Sequence, residues 1–553
     1  MNTPNPALVT QRAVRRLPRL ALWLLCAAYV LPGIFFRDPW KNADITAFGY
    51  MLSLVRGDSG WLNPSIAGLS SEGSALPYWL GAWSIQAFGG WMDQALAARL
   101  PFALLLVATL ALTWYACFHL ARTDEAQPLP FAFGGEASRI DYACTMADAS
   151  VLALIAPLGL LQLGHETTPE LVQLAASSLL LYGLAASRHR HGRSIIALLV
   201  ALPALALSGA ATTGLLYGGV GVVLARRSSH APTRALVPWL LLGMLISAAA
   251  AAAVDAWASR LAPLPEVLGM PKLLAWFTWP IWPLVGWTLW RWRRQLGHHH
   301  VLIPLSVAAV AIGASAAMGA SERALMIALP SLAVLAAFSL PTLKRTVSAA
   351  IDWFSVFFFS ILALLLWVLY ASVQTGVPAQ PAINIARLAP GFEHRFNAPV
   401  FVLALLATIA WIWLVRWRTS QHRPVLWKSL VLPASGVALS WLLLMTLWLP
   451  LLDHARSYRP LMNRIARIIP AEACIAGPDL GRSQLAALEA QGRWRLSRDR
   501  SQAGCDWMII RRTEAVNRPA PSTHQVVPQG WRLVDKLRRP TDRNEVFYLY
   551  RRA

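Results

Sequence analysis

Apolar runs long enough to cross a bilayer recur along almost the entire chain, and basic residues collect in every second loop between them. About 20 apolar residues in a helix cover the hydrocarbon layer, where only helices and closed barrels satisfy their own backbone. Thirteen runs are read as spans: 17–36, 96–120, 143–163, 169–187, 194–209, 211–225, 236–254, 274–290, 301–319, 324–341, 353–371, 398–415 and 428–449. With hydrophobic residues at 56% and charged residues at 14%, one polytopic α-helical membrane domain over 1–450 is expected rather than a string of soluble domains.

The alternate loops give the direction of threading. Arg12, Arg15, Arg16 and Arg19 precede the first run, and "SRHRHGR" (187–193), "ARRSSHAPTR" (225–234), "RWRRQLGHHH" (291–300), "PTLKR" (341–345) and "RWRTSQHRPVLWK" (416–428) all fall on the same side as the N-terminus. Cationic loops stay cytoplasmic, so the N-terminus is expected inside a bacterial inner membrane, and the loop 37–95 and tail 451–553 outside, facing the periplasm. No small-x-small cleavage site follows Phe36, so the first run is read as an uncleaved span. The formal charge of +22 then reflects topology and contact with acidic membrane lipids, and nucleic acid is not expected as a partner. His298, His299 and His300 belong to one of the basic loops. Three consecutive histidines do not readily converge on one ion, so no metal site is read there.

The tail changes character. It is polar and Arg-rich, with strand patterns "DWMIIRR" (506–512) and "NEVFYLY" (544–550) and helical patterns at 456–468 and 482–491, consistent with a small α/β domain. Arg456, Arg459, Arg464 and Arg467 would share a helix above the membrane, which favours an anionic acceptor or headgroup contact. Cys474 and Cys505 both lie in this oxidising compartment and are candidate disulfide partners, although spacing alone leaves pairing open. Cys26, Cys117 and Cys144 read as ordinary apolar residues.

The loop 37–95 is far longer than a connector requires. It contains two amphipathic stretches, 44–56 and 76–88, read as helices lying in or near the membrane interface. Asp44 opens the first and Glu72 precedes the second. A carboxylate at a helix start is either an N-cap or, at a membrane surface, a group able to take a proton from an attacking nucleophile.

Three segments of this loop carry a resemblance: "ADITAFGY" (43–50), "GDSGWLNP" (57–64) and "EGSALPYWLGA" (72–82). They resemble the Asp-Glu-Pro-x-Tyr, Gly-Asp-Trp-x-x-Pro and Glu-Lys-Pro-Pro-Leu-x-Tyr-Trp motifs of the ArnT-like branch of the protein-mannosyltransferase superfamily, of the GT-C type. "SERALMIALPSLAVLAAFSLP" (321–341), "WPIWPLVGWTLWRWRR" (279–294) and "LLDHARSYRPL" (451–461) also look like that family.

The resemblance implies a GT-C-type fold of about 13 spans with a small periplasmic α/β domain. It also implies inverting transfer of a sugar from a polyprenyl-phosphate carrier to an acceptor such as lipid A, a glycan or a protein. Asp44 matches the acid proposed to serve the acceptor, and Glu72 would hold the loop in shape. Two departures stand out: Ile45 replaces the second acid, and Gly73 replaces the Lys expected at phosphate. "SGAATTG" (208–214) is all that stands for a Thr-Lys-Gly feature. Arg56, Arg260, Lys272 and Arg323 are the candidate replacements at the donor phosphate, each of which also fits simple snorkelling. No cofactor is required by a phosphate leaving group. Asp38, Asp44, Asp58 and Glu72 could gather near a divalent cation, but they lack a recognisable ligand spacing. A transporter, a polysaccharide polymerase or ligase and a noncatalytic scaffold are the alternatives. A transporter is expected to show paired repeats with broken helices, and none is evident.

Overall fold

In a computed structural model, residues 7–131, 134–257, 267–420, 425–492, 494–498, 504–513, 530–542 and 545–553 are described. All thirteen apolar runs are helical, but they differ in length. Seven helices among the described residues are long and apolar enough to cross a membrane: Gln94–Ala121, Pro169–Ala186, Ala231–Ala253, His299–Ala317, Arg345–Thr375, Ala398–Thr419 and Lys428–Thr446.

Several of the other runs are shortened or divided. The first, α1, covers only Arg19–Val30. The run at 143–163 divides into α5 (Arg139–Ile155) and α6 (Leu158–Leu163) at Pro157, and the run at 274–290 divides into Met270–Phe277 and Ile281–Arg291 before Pro280. Proline donates no N–H to the helical ladder and clashes with the preceding turn, so a break falls there.

The helices are not equivalent in position. The apolar window of Lys428–Thr446 is 83% buried by protein, whereas that of Ala398–Thr419 is 11% buried. The first is therefore enclosed by other helices, and the second leaves most of its surface uncovered by protein. Around Lys428–Thr446 lie α1, α5, Arg345–Thr375 and Ala398–Thr419, while α5 packs in turn on α4 (Gln94–Ala121), α4 on α7 (Pro169–Ala186) and α7 on α8 (His191–Leu207).

The long first loop folds as α2 (Ala43–Arg56), a two-stranded hairpin of β1 (Ser65–Ile66) and β2 (Leu69–Ser70), and α3 (Leu76–Phe88). Both helices begin and end where the apolar pattern placed them. Other parts of the chain cover α2 along Asp44–Leu54, Thr46 apart. It lies between α3 and the helix Arg482–Ala487 of the tail, so closely that a Cβ on Gly49 would meet the Cβ of Ala486 at 2.7 Å. Helix and tail approach at this point because position 49 has no side chain.

The tail is a five-stranded mixed sheet in the order β4-β3-β5-β7-β6, with β3 (Cys474–Ala476), β4 (Arg495–Ser497), β5 (Trp507–Thr513), β6 (Trp531–Arg538) and β7 (Glu545–Arg552). β3 runs parallel to β4 and β5, and β7 is antiparallel to both β5 and β6. Cys474 on β3 and Cys505 just before β5 are joined as a disulfide with their Cα atoms 4.7 Å apart. Cys26, Cys117 and Cys144 are free thiols.

The helix expected over 456–468 is broken. Leu449–Arg456 and Arg459–Ile465 are separate helices because Ser457 is extended and pairs with Trp40 of the first loop, with Pro460 in the opening turn of the second. Arg456, Arg459 and Arg464 consequently do not form one exposed stripe. They bond to Gln162, Asp38 and the carbonyl of Arg538 respectively.

Candidate functional site

At the end of the bundle where α2, α7 and the tail meet lies a cluster of polar side chains that water barely reaches. Arg37, Asp44, Arg99, His165, Glu166, Thr167 and Thr168 are all buried. Uncompensated, each charge there would cost several kcal/mol, so their partners decide what the site can do.

Asp44 sits in the first turn of α2, whose N-cap is Asn42, and its carboxylate turns away from the helix's own amides. Oδ1 accepts from the backbone N–H of Thr167 at 3.0 Å and from its hydroxyl at 2.7 Å. Oδ2 accepts from the backbone N–H of Trp40 at 3.1 Å and from Arg37 Nη2 at 3.2 Å. The N-cap reading gives way, since Asn42 holds that position and Asp44 is a buried carboxylate with four donors. Burial alone would raise its pKa, but the Arg37 and Arg99 charges and the two Thr167 hydrogen bonds outweigh it and hold the carboxyl below its ordinary value.

Arg37 also donates to the carbonyl of His165 at 2.7 Å and lies over the Trp40 ring at 4.7 Å. Arg456 lies over the same ring at 4.9 Å and donates to Gln162 Oε1 at 2.6 Å. Gln162 in turn donates to Glu166, whose other oxygen accepts from Arg323 Nη2 at 2.5 Å. Arg323 also approaches Glu170 at 3.7 Å. Glu166 and Thr167 are adjacent in the chain, so Arg323 and Asp44 are held by consecutive residues of one short segment between α6 and α7.

Several buried guanidinium nitrogens of this cluster have no hydrogen-bond partner among the described residues: Nε and Nη1 of Arg37, Nη2 of Arg99 and Nη1 of Arg323. Buried donors cost about 1–3 kcal/mol each unless a water or an ion meets them. Beside them, Asp453 accepts from Trp40 Nε1 at 2.7 Å and from the backbone N–H of Asp38, and burial lifts its pKa to about 6.

Glu72 belongs to a different neighbourhood. It pairs with Arg482 of the tail and stands at φ +53°, followed by Gly73 at φ +80°. A Cβ on Gly73 would press into the backbone of Ala256 and lie 2.9 Å from the Asp255 carbonyl, so no lysine fits this conformation. Next to it, Ser74 pairs with Ser208 and donates to its carbonyl at 3.2 Å, which brings "EGSALPYWLGA" against "SGAATTG".

Of the four cations expected at phosphate, Arg323 alone is placed in the cluster around Asp44. Arg56 is exposed and donates to the carbonyl of Glu489 at 3.1 Å, Lys272 is exposed on the helix Met270–Phe277, and Arg260 lies outside the described residues. Sequence reasoning missed Arg37, Arg99 and the segment His165-Glu166-Thr167-Thr168. The last carried a signal: "GHETTPE" (164–170) is a run of polar residues between two apolar helices, too rich in hydrogen-bonding groups for a plain turn.

Comparison with known proteins places this geometry on a known architecture. No protein-family model and no curated protein matches the sequence. The fold is similar to the crystal structure of ArnT from Cupriavidus metallidurans bound to undecaprenyl phosphate, with a TM-score of 0.63 and 13% identity over 96% of this chain and 97% of that one. It is also similar to the apo structure of the same protein, with a TM-score of 0.61 and 14% identity over 96% of each chain. The chain therefore shares the fold of that ArnT structure over 96% of its length.

Proposed function

We propose that the protein is an inverting membrane glycosyltransferase that moves a sugar from a polyprenyl-phosphate carrier to an acceptor outside the membrane. The observation that carries this reading is the group of buried guanidinium nitrogens of Arg37 and Arg99 without a hydrogen-bond partner among the described residues, beside Arg323 and the buried carboxylate of Asp44, on a fold shared over 96% of its length with a protein solved bound to undecaprenyl phosphate. Arginine suits phosphate because its planar fork of donors matches the phosphate oxygens.

In this reading an acceptor oxygen or nitrogen attacks the anomeric carbon while the bond from that carbon to the phosphate oxygen breaks. The phosphate leaves as a monoester on the prenyl chain, with its growing charge met by guanidinium donors already in place. The acceptor proton passes to Asp44. Since both carboxylate oxygens are fully engaged, the acceptor must displace a donor, and the rotatable Thr167 hydroxyl is the one able to turn away. Glu72 keeps the 69–75 segment docked on the tail and serves the site as a positioning residue. The site end of the bundle, the first loop and the tail 451–553 would face the periplasm, with the N-terminus in the cytoplasm. Lipid A, a glycan and a protein hydroxyl are the acceptor classes that would reach such a face.

The experiment is single-turnover transfer from a radiolabelled polyprenyl-phosphate sugar by purified protein in nanodiscs, with donor affinity measured separately. Donor binding that survives in Asp44→Asn but falls at least tenfold in Arg323→Ala supports the assignment. Unchanged donor binding in every arginine variant overturns it.

A further inference from the structure

At the opposite end of α4 from Arg99, about 33 Å away along the helix axis, the loop histidines meet an acid from elsewhere in the chain. We propose that Glu125, His298 and His300 form a binding site for one divalent transition-metal ion of the zinc type. The metal would clamp the connector after α4 to the start of the helix His299–Ala317.

One ligand atom of each residue lies within 4.8 Å of the others. Carboxylate and imidazole are the ligands that zinc takes, and in a tetrahedral site such atoms stand about 3.3 Å apart, so a closure of roughly 1.5 Å through side-chain rotation completes the set. His298 caps the helix in extended conformation and His300 lies in its first turn. That bend allows residues two apart to turn to the same side, with a ring-centroid distance of 5.9 Å, while His299 between them sets its Nδ1 3.3 Å from Glu125 Oε2.

The independent observation is the state of His300. It is wholly inaccessible to solvent, and neither ring nitrogen has a hydrogen-bond partner among the described residues. Nδ1 of His298 is likewise without one. Trp292 and Phe338 pack on the His300 ring at 4.5 and 4.9 Å, which fixes its plane. A neutral imidazole buried in this way costs free energy that a metal bond would repay.

Glu125 is oriented by its other contacts. It accepts from the backbone N–H of His299 at 3.0 Å, and from Arg188 at 3.2 Å. Arg188 also meets His299 Nδ1 at 2.9 Å, and His299 Nε2 meets Ser228 at 3.2 Å. His299 is thereby assigned to the hydrogen bonds around the site, not to the metal. Three protein ligands leave a fourth position for water.

The test uses full-length protein in detergent, stripped with a chelator, reloaded with Zn2+ and desalted. Metal content is read by mass spectrometry and stability by thermal unfolding, with Co2+ as a second probe for the visible absorption of a tetrahedral site. One Zn2+ per chain and a rise in Tm are expected, with affinity lowered at least tenfold in Glu125→Gln and His298→Ala and kept within about threefold in His299→Ala. His300→Ala should behave as His298→Ala does; if it fails to fold, the other two variants decide. Absence of retained Zn2+, or a loss in His299→Ala as large as in Glu125→Gln, means only adventitious binding to the histidine run and overturns the proposal.

Discussion

Thr167 gives both its backbone N–H and its hydroxyl to a single oxygen of Asp44, across 123 residues of sequence. The pairing joins the first loop to the segment between α6 and α7, and it sets the terms on which Asp44 can act.

Asp44→Asn is expected to lower transfer by about 10²-fold or more, the scale of a positioned general base. It should also lower stability, since an amide cannot accept four hydrogen bonds and Arg37 would lose its buried counter-charge, a loss of about 3–5 kcal/mol for pairs of this kind. Transfer normalised to folded protein, beside a thermal unfolding curve, checks both. Full transfer with an unchanged melting curve would count against the geometry and the chemistry together.

Thr167→Val separates the two effects. It keeps the backbone N–H and removes only the hydroxyl, so stability should fall by about 1 kcal/mol. The same change frees an Asp44 lone pair for the acceptor but leaves the carboxylate less well fixed. KM for the acceptor is expected to change by more than donor affinity does, and steady-state kinetics with each substrate varied in turn would show it.

Arg323→Ala should weaken prenyl-phosphate binding at least tenfold, whereas Arg56→Ala and Lys272→Ala should bind as the parent does. The contrast rests on placement. Arg323 is held beside the Asp44 cluster by Glu166 and Glu170, while Arg56 and Lys272 are exposed elsewhere. Binding of radiolabelled prenyl phosphate to the three variants decides.

Gly73→Lys should not restore a phosphate contact even though lysine is the residue that the ArnT-like motif carries there. At φ +80° against the backbone of Asp255 and Ala256, any side chain is strained, and the expected result is a lower melting temperature with no gain in donor affinity.

Glu489, half-buried in the tail, has its pKa raised to about 7, chiefly by burial. Its folded form holds a proton that the unfolded chain releases near the ordinary glutamate value. The associated stability is complete below that ordinary value and is lost as pH rises to about 7. Glu489→Gln should flatten this part of the stability profile and melt higher than the parent above pH 7, as read by unfolding scans across pH.

Much of the architecture was legible because it depends on local pattern. The bounds of α2 and α3, the strands β5 and β7 and the helical character of all thirteen runs follow from periodicity and apolar length within short windows. Pro157 and Pro280 could have signalled the two breaks, since proline acts locally too. The site was legible only in part. Asp44 is visible as an acid after the first apolar run, but its partners Thr167 and Arg99 come from segments whose convergence depends on how helices pack, and no local pattern encodes that. Glu72 and Asp44 are close in sequence and share a loop, yet they bond to different partners because the intervening hairpin turns Glu72 toward Arg482. The arginine stripe expected over 456–468 was lost to one residue, Ser457, which pairs with Trp40 instead of continuing the helix.

That pairing has company. Asp38 takes a forked pair of bonds from Arg459, Trp40 donates to Asp453, Lys41 donates to the carbonyl of Arg456, and Glu72 meets Arg482. The tail is thus sewn to the start and the middle of the loop that carries Asp44, and it cannot be exchanged as a cassette. A chimera carrying the tail of another protein would have to import matching residues at positions 38, 40 and 72, so the first and last hundred residues are constrained to vary in concert.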